Sequence, residues 1–400
     1  MHLSKKSAIS STVTAVAVVV VVLVIVAGIY IAYPPGTKQV TTTTTLPGTT
    51  TTGSSTTTAP TIVPLTLQAG GSSFVNPIMQ VWAAGFSDYT NSAVKTNYQA
   101  IGSGAGITGI LKGTFDFAGS DAPVSSSVSS NYTAVKGPLL QIPETLGAVA
   151  IFYNIPGVKA NLNLTGPIIA DIYLQKITLW NDPSIRALNP KVADLNSTKD
   201  ITIIPVHRSD GSGTTYALTN YFTKVSADWN ASGKGFGTSI SWPASGELAG
   251  KGSAGVALDV SQNPYAVGYA DSYYAFSNKL LSAAVQNKAG NFLQPTLAGV
   301  TSAASDFSSQ VQANPTFTIT NAPGANSYPI STYTYLLVWQ NQASQGKGND
   351  VAQLFWWIVT HGQALGPPLF YPLLPASVVT IDESLIAKMN YNGTPFIQSG

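Results

Sequence analysis

The stretch Arg208-Ser209-Asp210-Gly211-Ser212-Gly213-Thr214-Thr215 follows the apolar run Ile201–Val206 and precedes Tyr216 to Val225, which has a helical pattern. One arginine thus stands beside a Gly/Ser/Thr turn that opens a helix. Such a turn directs backbone N–H groups and hydroxyls at one point, and the helix dipole favours negative charge there. Taken alone, the eight residues equally describe a surface turn with an N-cap. Two companion turns change the balance. Leu65–Gln68 has strand character and runs into Gly70 to Ser73, ahead of an apolar-periodic stretch from Phe74 to about Tyr89 with Pro77 in its first turn. Val94–Gln99 is a second strand, followed by Gly102 to Gly106 and a short helix carrying Ile107, Ile110 and Leu111. Thr114–Ala118 reads as a further strand that ends at Ser120-Asp121. Strands alternating with helices predict an α/β fold with a mostly parallel sheet, whose ligands sit where the carboxyl ends of strands meet helices. Three Ser/Gly turns occupy that place and could offer hydroxyls and N–H groups to one anion, although glycines that end strands and serines that cap helices account equally well for each turn.

Bulk composition narrows the function further. Charged residues are only 9 % of the 400, against about a quarter in ordinary soluble domains. Net charge is +2 with no basic stripe, so nucleic acid is not an expected partner. There are no cysteines, which removes disulfides, thiolate metal sites, cysteine nucleophiles and a lipidated cysteine anchor. Residues Gly246 to Ser253 imitate a nucleotide-binding P-loop, but the spacing before Gly250-Lys251 is wrong and Gly252 replaces the magnesium-binding hydroxyl. His2, His207 and His361 have no metal-ligand spacing, and no nucleophile elbow is present, so neither a cofactor, a metal nor catalysis is expected. Trp356 and Trp357 in Val351 to Thr360 are expected in the core.

The N-terminus speaks to location. Lys5 and Lys6 precede an uncharged run whose centre, Val13 to Tyr33, is long enough to cross a bilayer of about 30 Å as a helix. The positive pair predicts that everything after it lies outside the cell; a cleaved signal is the alternative. Residues 41–60 contain 12 threonines and form a stalk that cannot bury a core. Sequons at Asn131, Asn163, Asn196, Asn230 and Asn392 fit a glycosylated cell-surface protein.

Several segments together resemble the phosphate-binding proteins of ABC-type phosphate importers, the PstS-like type II periplasmic binding proteins. Ala69-Gly-Gly-Ser-Ser-Phe74, Tyr98-Gln-Ala-Ile-Gly-Ser-Gly-Ala-Gly106, Asp116-Phe-Ala-Gly-Ser-Asp-Ala-Pro123 and Arg208 to Thr215 are similar to that family's binding loops. Asp171 to Trp180, Ala266-Val-Gly-Tyr269, Tyr328 to Thr332 and Leu374 to Val379 also match its pattern, so the likeness runs from about Leu65 to about Val379. The resemblance implies two α/β lobes that clamp an anion: residues 65–144 with 330–400, and 145–329, joined by a two-segment hinge. They follow an anchor at 1–33 and a stalk at 34–64. It implies phosphate contacts from Ser73, Phe74, Ser103, Asp121, Arg208, Ser212, Gly213 and Thr214, with Asp210 orienting Arg208. It also implies a monomer that serves ABC permease subunits at the outer face of the membrane; the anchor and Thr-rich stalk, which depart from the family's usual soluble periplasmic form, suit a cell with no outer membrane and so an archaeal surface. A carboxylate such as Asp121 suits an anion that carries a proton. A different oxyanion, a sensor without transport, a secreted phosphatase and a surface-layer protein are the remaining alternatives. Two departures from the pattern stand out: Ser73 where threonine is common, and Ala105 where glycine is common. The scarcity of charge also predicts stability that stays flat from mildly acidic to neutral pH.

Overall fold

The computed structural model describes residues 64–192, 195, 200–243 and 246–397. The expected membrane anchor at 1–33, nearly all of the stalk and the sequon at Asn196 lie outside these residues. Among the described residues, no helix is long and apolar enough to cross a membrane.

The backbone of the molecule is a nine-stranded sheet. Its strands are β1 (Leu65–Gly71), β2 (Val94–Gln99), β3 (Phe117–Ser120), β4 (Leu139–Tyr153), β5 (Ile204–Arg208), β6 (Leu248–Gly250), β7 (Ala266–Asp271), β8 (Leu281–Ser282) and β9 (Ser331–Trp339). The order is β2-β1-β3-β9-β4-β7-β5-β6, with β8 on the flank of β4. Strands β2, β1 and β3 are mutually parallel, as are β7, β5 and β6. Between these two parallel trios run β9 and β4, antiparallel to each other and to the trios they border. The result is a two-lobed α/β fold, each lobe built on one trio. Strand β4 pairs with β9 as far as Ala148 and with β7 from Val149, so it belongs to both. Strands β7 and β9 are buried along their whole length, as expected for strands covered on both faces.

Helices follow the trio strands directly: α1 (Asn76–Tyr89) after β1, α2 (Ser103–Lys112) after β2, α3 (Gly213–Val225) after β5, α4 (Gly252–Gln262) after β6 and α5 (Ser272–Ser277) after β7. Helix α6 (Gln345–Thr360) follows β9 and buries Trp357, while Trp356 is only partly buried. Two strands are displaced from their sequence-based positions. β5 starts at Ile204 rather than Ile201. The preceding residues pair elsewhere: Trp180 N–H donates to Ile201 O, and Ile203 N–H donates to Thr178 O. β3 starts at Phe117 rather than Thr114, because Gly113 caps α2 in the left-handed region and Thr114 N–H returns to Gly109 O.

The two crossing strands carry an irregularity. Thr334 pairs with Thr145 and Tyr335 with Pro143, which leaves Glu144 as the extra residue of a β-bulge. Its carbonyl, released from the ladder, accepts from the Gln363 amide at 2.9 Å. Its side chain is fully buried; one oxygen accepts from Thr334 Oγ1 at 2.8 Å and the other has no partner. Burial, reinforced by the charge of Asp121 and only partly opposed by the Thr334 bond, pushes the Glu144 carboxyl up to about 8. Burial likewise drives Asp271 and Asp382 upward. A carboxyl that holds its proton in the fold and releases it on unfolding stabilises fully below its ordinary range, and that contribution is lost as pH rises through the folded value. The expected flat profile therefore gives way to a slope. Glu144→Gln should stabilise the ligand-free chain by roughly 1–3 kcal/mol at pH 8 and little at pH 4, read from chemical denaturation at both.

Candidate anion-binding site

In each lobe the carboxyl ends of parallel strands deliver short loops to one place. β1 ends at Gly71 and leads through Ser72, Ser73 and Phe74 into α1; β2 leads through Gly102 to Ser103; β3 ends at Ser120 and is followed by Asp121. From the other side, β5 ends at Arg208 and continues to Ser212, the N-cap of α3. β6 ends at Gly250, which pairs with Arg208, and continues to α4.

Arg208 is buried, with 5 % of its surface exposed. Asp210 grips it by two parallel bonds, Nε to Oδ1 at 2.8 Å and Nη2 to Oδ2 at 2.5 Å. Asp210 Oδ1 also accepts from Gly252 N–H at 3.0 Å. Burial pulls the Asp210 carboxyl upward, but the bonds to and charge of Arg208, with the Gly252 bond, outweigh it and hold it below its ordinary value. The pair is a charge-assisted fork that fixes the guanidinium plane and leaves three of its five N–H bonds for other acceptors.

Asp121 is 1 % exposed and receives one hydroxyl on each carboxylate oxygen: Ser72 Oγ donates to Oδ1, and Thr214 Oγ1, from the opposite loop, donates to Oδ2 at 3.2 Å. Its own N–H donates to Ser103 Oγ at 3.3 Å. Burial raises its carboxyl to about 6, against the lowering influence of the Ser72 bond, the Arg208 charge and the Thr214 bond. An acid poised there exchanges a proton close to neutral pH.

The remaining residues expected from the sequence converge on the same place. Ser73 and Phe74 sit on the β1–α1 loop, buried, and Phe74 N–H donates to Ser72 Oγ at 3.0 Å. Ser103 opens α2, while Gly213 and Thr214 open α3 ahead of its first intrahelical bond from Tyr216 N–H to Ser212 O. Ser212 caps α3 by accepting from Thr215 N–H at 3.1 Å, and its own N–H donates to Thr238 O at 2.8 Å. Ser212 therefore keeps a hydroxyl proton for a ligand, but its N–H is committed. The two walls touch: Gly104 N–H donates to Gly211 O at 2.9 Å. A groove of about 530 Å³ lies outside this contact, lined in part by Gly104, Ala105, Gly211, Thr238 and Ser239. Gly213 lies against Asp121 so closely that an added Cβ would stand 2.6 Å from both Asp121 Cβ and Ser103 Oγ. Ala105 is exposed, so its methyl obstructs nothing; the close approaches fall at Gly104 and Gly106 instead.

Ser72, Gly252 and Ser253 are not among the site residues expected from the sequence. Ser253 N–H donates to Ser73 Oγ at 2.9 Å, and the two hydroxyls lie 3.1 Å apart. These residues end the stretch Gly246 to Ser253 that imitates a P-loop. Its glycines were a signal of close backbone approach, although not to a nucleotide.

The arrangement therefore brings together, from two sides, many neutral donors, one arginine neutralised by its own carboxylate, and one acid facing them. The family is established by comparison. A family model described as a PBP superfamily domain matches residues 40–360. The chain is 38 % identical over 316 residues to the phosphate-binding protein PstS of Xylella fastidiosa, covering 78 % of this chain and 82 % of that protein. It is 37 % identical over 320 residues to PstS of Haemophilus influenzae, covering 80 % and 92 %. Against PstS of Methanocaldococcus jannaschii it is 36 % identical over 314 residues, covering 75 % and 79 %. The fold matches a high affinity periplasmic phosphate-binding protein (PfluDING) bound with phosphate, with a TM-score of 0.62, 20 % identity and coverage of 83 % and 99 %. A human phosphate binding apolipoprotein gives a TM-score of 0.63, 19 % identity and coverage of 80 % and 93 %. The chain belongs to the PBP superfamily, among the PstS phosphate-binding proteins.

Gly213→Ala should abolish anion binding, because the methyl displaces Asp121 and Ser103 together. Isothermal titration checks this, with circular dichroism confirming that the strands and helices remain.

Proposed function

We propose that this protein binds inorganic phosphate between its two lobes and delivers it to the permease subunits of an ABC importer, and that it does so outside the cell while tethered by residues 1–33. The observation that carries the phosphate assignment is Asp121, buried and facing the Arg208 loop across the site. A carboxylate repels an oxyanion unless the anion brings a proton. Phosphate near neutral pH carries one or two and can donate to Asp121; sulfate carries none, and two acceptors would face each other unpaired. Leaving such a group unsatisfied costs about 1–3 kcal/mol, and more when it is charged. The names of its relatives, all phosphate-binding proteins, support the same ligand.

In this proposal one lobe comprises residues 65–144 and 330–400 and the other 145–329. Arg208 supplies the guanidinium, its charge offset by Asp210, with three N–H bonds left for the anion. Gly213 and Thr214 offer N–H groups at the α3 N-terminus, and Ser212 offers a hydroxyl, while the Thr214 hydroxyl donates to Asp121. Ser73, Phe74 and Ser103 supply the opposite wall, where the start of α2 adds its dipole. Asp210 holds Arg208 in plane. Lobe closure by hinge motion at β4 and β9 encloses the anion.

The tether and the cell-surface location rest on the apolar run Val13 to Tyr33 behind Lys5 and Lys6. Glycosylation is supported by the exposed sequons Asn131, Asn230 and Asn392; Asn163, by contrast, lies half-buried in a short strand. Deleting residues 1–33 should move the protein from the membrane fraction to the soluble fraction; retention in the membrane would refute the tether.

Titration with phosphate, sulfate and molybdate tests the ligand. Tight phosphate binding without sulfate heat at pH 7.5 is expected, and equal response to both anions overturns the role of Asp121. Arg208→Ala should weaken phosphate binding by at least a hundredfold, an order-of-magnitude expectation for removing a buried charged donor. Discrimination against sulfate should narrow as pH falls below about 6, where Asp121 acquires its own proton and can donate to sulfate. Asp121→Asn should narrow it at every pH.

A further inference from the structure

Three successive carbonyls of the β1–α1 loop each accept a tyrosine hydroxyl. Tyr98 donates to Ser72 O at 2.9 Å, Tyr274 to Ser73 O at 3.2 Å and Tyr371 to Phe74 O at 2.6 Å. All three rings are buried, and burial raises each phenol well above its ordinary value, so all remain neutral donors across the physiological range. The pattern has a geometric consequence. Ser72 N–H donates to Gly119 O and Phe74 N–H to Ser72 Oγ, so the loop can turn the Ser73 N–H to an anion only if its carbonyls face away, and a buried carbonyl needs a donor on that far side. Three phenols supply one apiece.

The three tyrosines come from different places. Tyr98 lies on β2, next to β1, and Tyr371 follows α6, so both belong to the lobe that carries the loop. Tyr274 lies on α5, which follows β7 in the other lobe. Ser253, at the start of α4 in that same lobe, holds the same residue by its hydroxyl: Ser73 Oγ accepts from Ser253 N–H at 2.9 Å and lies 3.1 Å from Ser253 Oγ. Ser73 is thus gripped on both sides by the opposite lobe, at its carbonyl by Tyr274 and at its hydroxyl by Ser253. With Ser253 donating to Ser73 Oγ, the one proton of Ser73 is left to point at the anion.

We propose that Tyr274 and Ser253 are positioning residues that form a closure latch on Ser73: they complete the anion loop only when the two lobes meet, and thereby hold bound phosphate by slowing its release. This rests on the phosphate assignment above. Tyr98 and Tyr371 hold the loop from its own lobe, so their bonds persist whether the lobes are open or closed. The latch holds Ser73, and its bonds are made after the anion has entered. It acts on departure and not on capture.

The test measures uptake and release of radiolabelled inorganic phosphate by the full-length chain, with thermal unfolding in the absence and presence of phosphate. Tyr274→Phe removes one bond to Ser73 and leaves the ring. It should speed release about five- to tenfold, the worth of one buried hydrogen bond, with uptake within about twofold of the parent. The melting temperature without phosphate should not change, while the increase on adding phosphate should shrink. Ser253→Ala should act in the same direction and more weakly, since its N–H remains, and it carries the test if Tyr274→Phe does not fold. Tyr371→Phe should instead lower the melting temperature without phosphate. Unchanged release in both latch variants overturns the latch while leaving phosphate binding intact. A fall in melting temperature equal with and without phosphate also overturns it, because the bonds would then be ordinary packing. A parent chain that takes up no phosphate overturns the assignment and the latch together.

Discussion

A buried guanidinium sets the terms for the rest of this structure. Arg208 lies almost wholly out of water, and an unpaired charge there would cost several kcal/mol. Asp210 removes that cost with two parallel bonds and is itself steadied by Gly252 N–H. The price is that the arginine no longer presents a net charge, since its partner cancels it locally. An anion entering the site therefore meets directed N–H and O–H dipoles more than a monopole. In the function proposed above, that arrangement discriminates by geometry and by proton count, the latter through Asp121.

Proton count extends below the site. Asp121, Glu144 and Asp271 are all buried, and the charge of Asp121 adds to burial in raising the proton affinity of both Glu144 and Asp271. Glu144 occupies the bulge of a crossing strand and is bonded to Thr334 of the other crossing strand. A protonated acid is thus built into the two strands that connect the lobes. Low surface charge and high buried acidity are separate properties, and only the first is visible as a percentage. The low percentage suggested indifference to pH, whereas buried acids impose a slope, because pH sensitivity depends on where each carboxyl sits.

Much of the site was legible from residue type and spacing. Ser73, Phe74, Ser103, Asp121, Arg208, Ser212, Gly213 and Thr214 all stand at strand ends or helix starts, which local patterning marks with glycine and hydroxyl residues. They do converge. What escaped was contact without local signature. Tyr98, Tyr274 and Tyr371 look like core aromatics, and the bodies of their rings are buried as such. Only the position of each hydroxyl, set by packing between segments 26, 201 and 297 residues apart, turns them into supports for one loop. Ser253 was hidden for another reason: its glycine-rich context suggested a different chemistry and was set aside with it.

Strand boundaries divide the same way. Val94–Gln99 and the helix behind Pro77 follow from period and local caps, and they occur as expected. Ile201–Ile203 has the same β-rich composition as the strand it adjoins but pairs with Thr178 and Trp180, a choice made by whichever partner lies within reach. By itself the sequence determined the alternation of strands and helices, the Gly/Ser/Thr turns between them and the single arginine and acid of the site, because backbone conformation and side-chain chemistry are local properties. Tertiary structure alone decided which lobe holds which face of Ser73, where the crossing strand bulges and which acids keep their protons. Those outcomes depend on distance through space and exclusion of water, and neither is encoded at any one position.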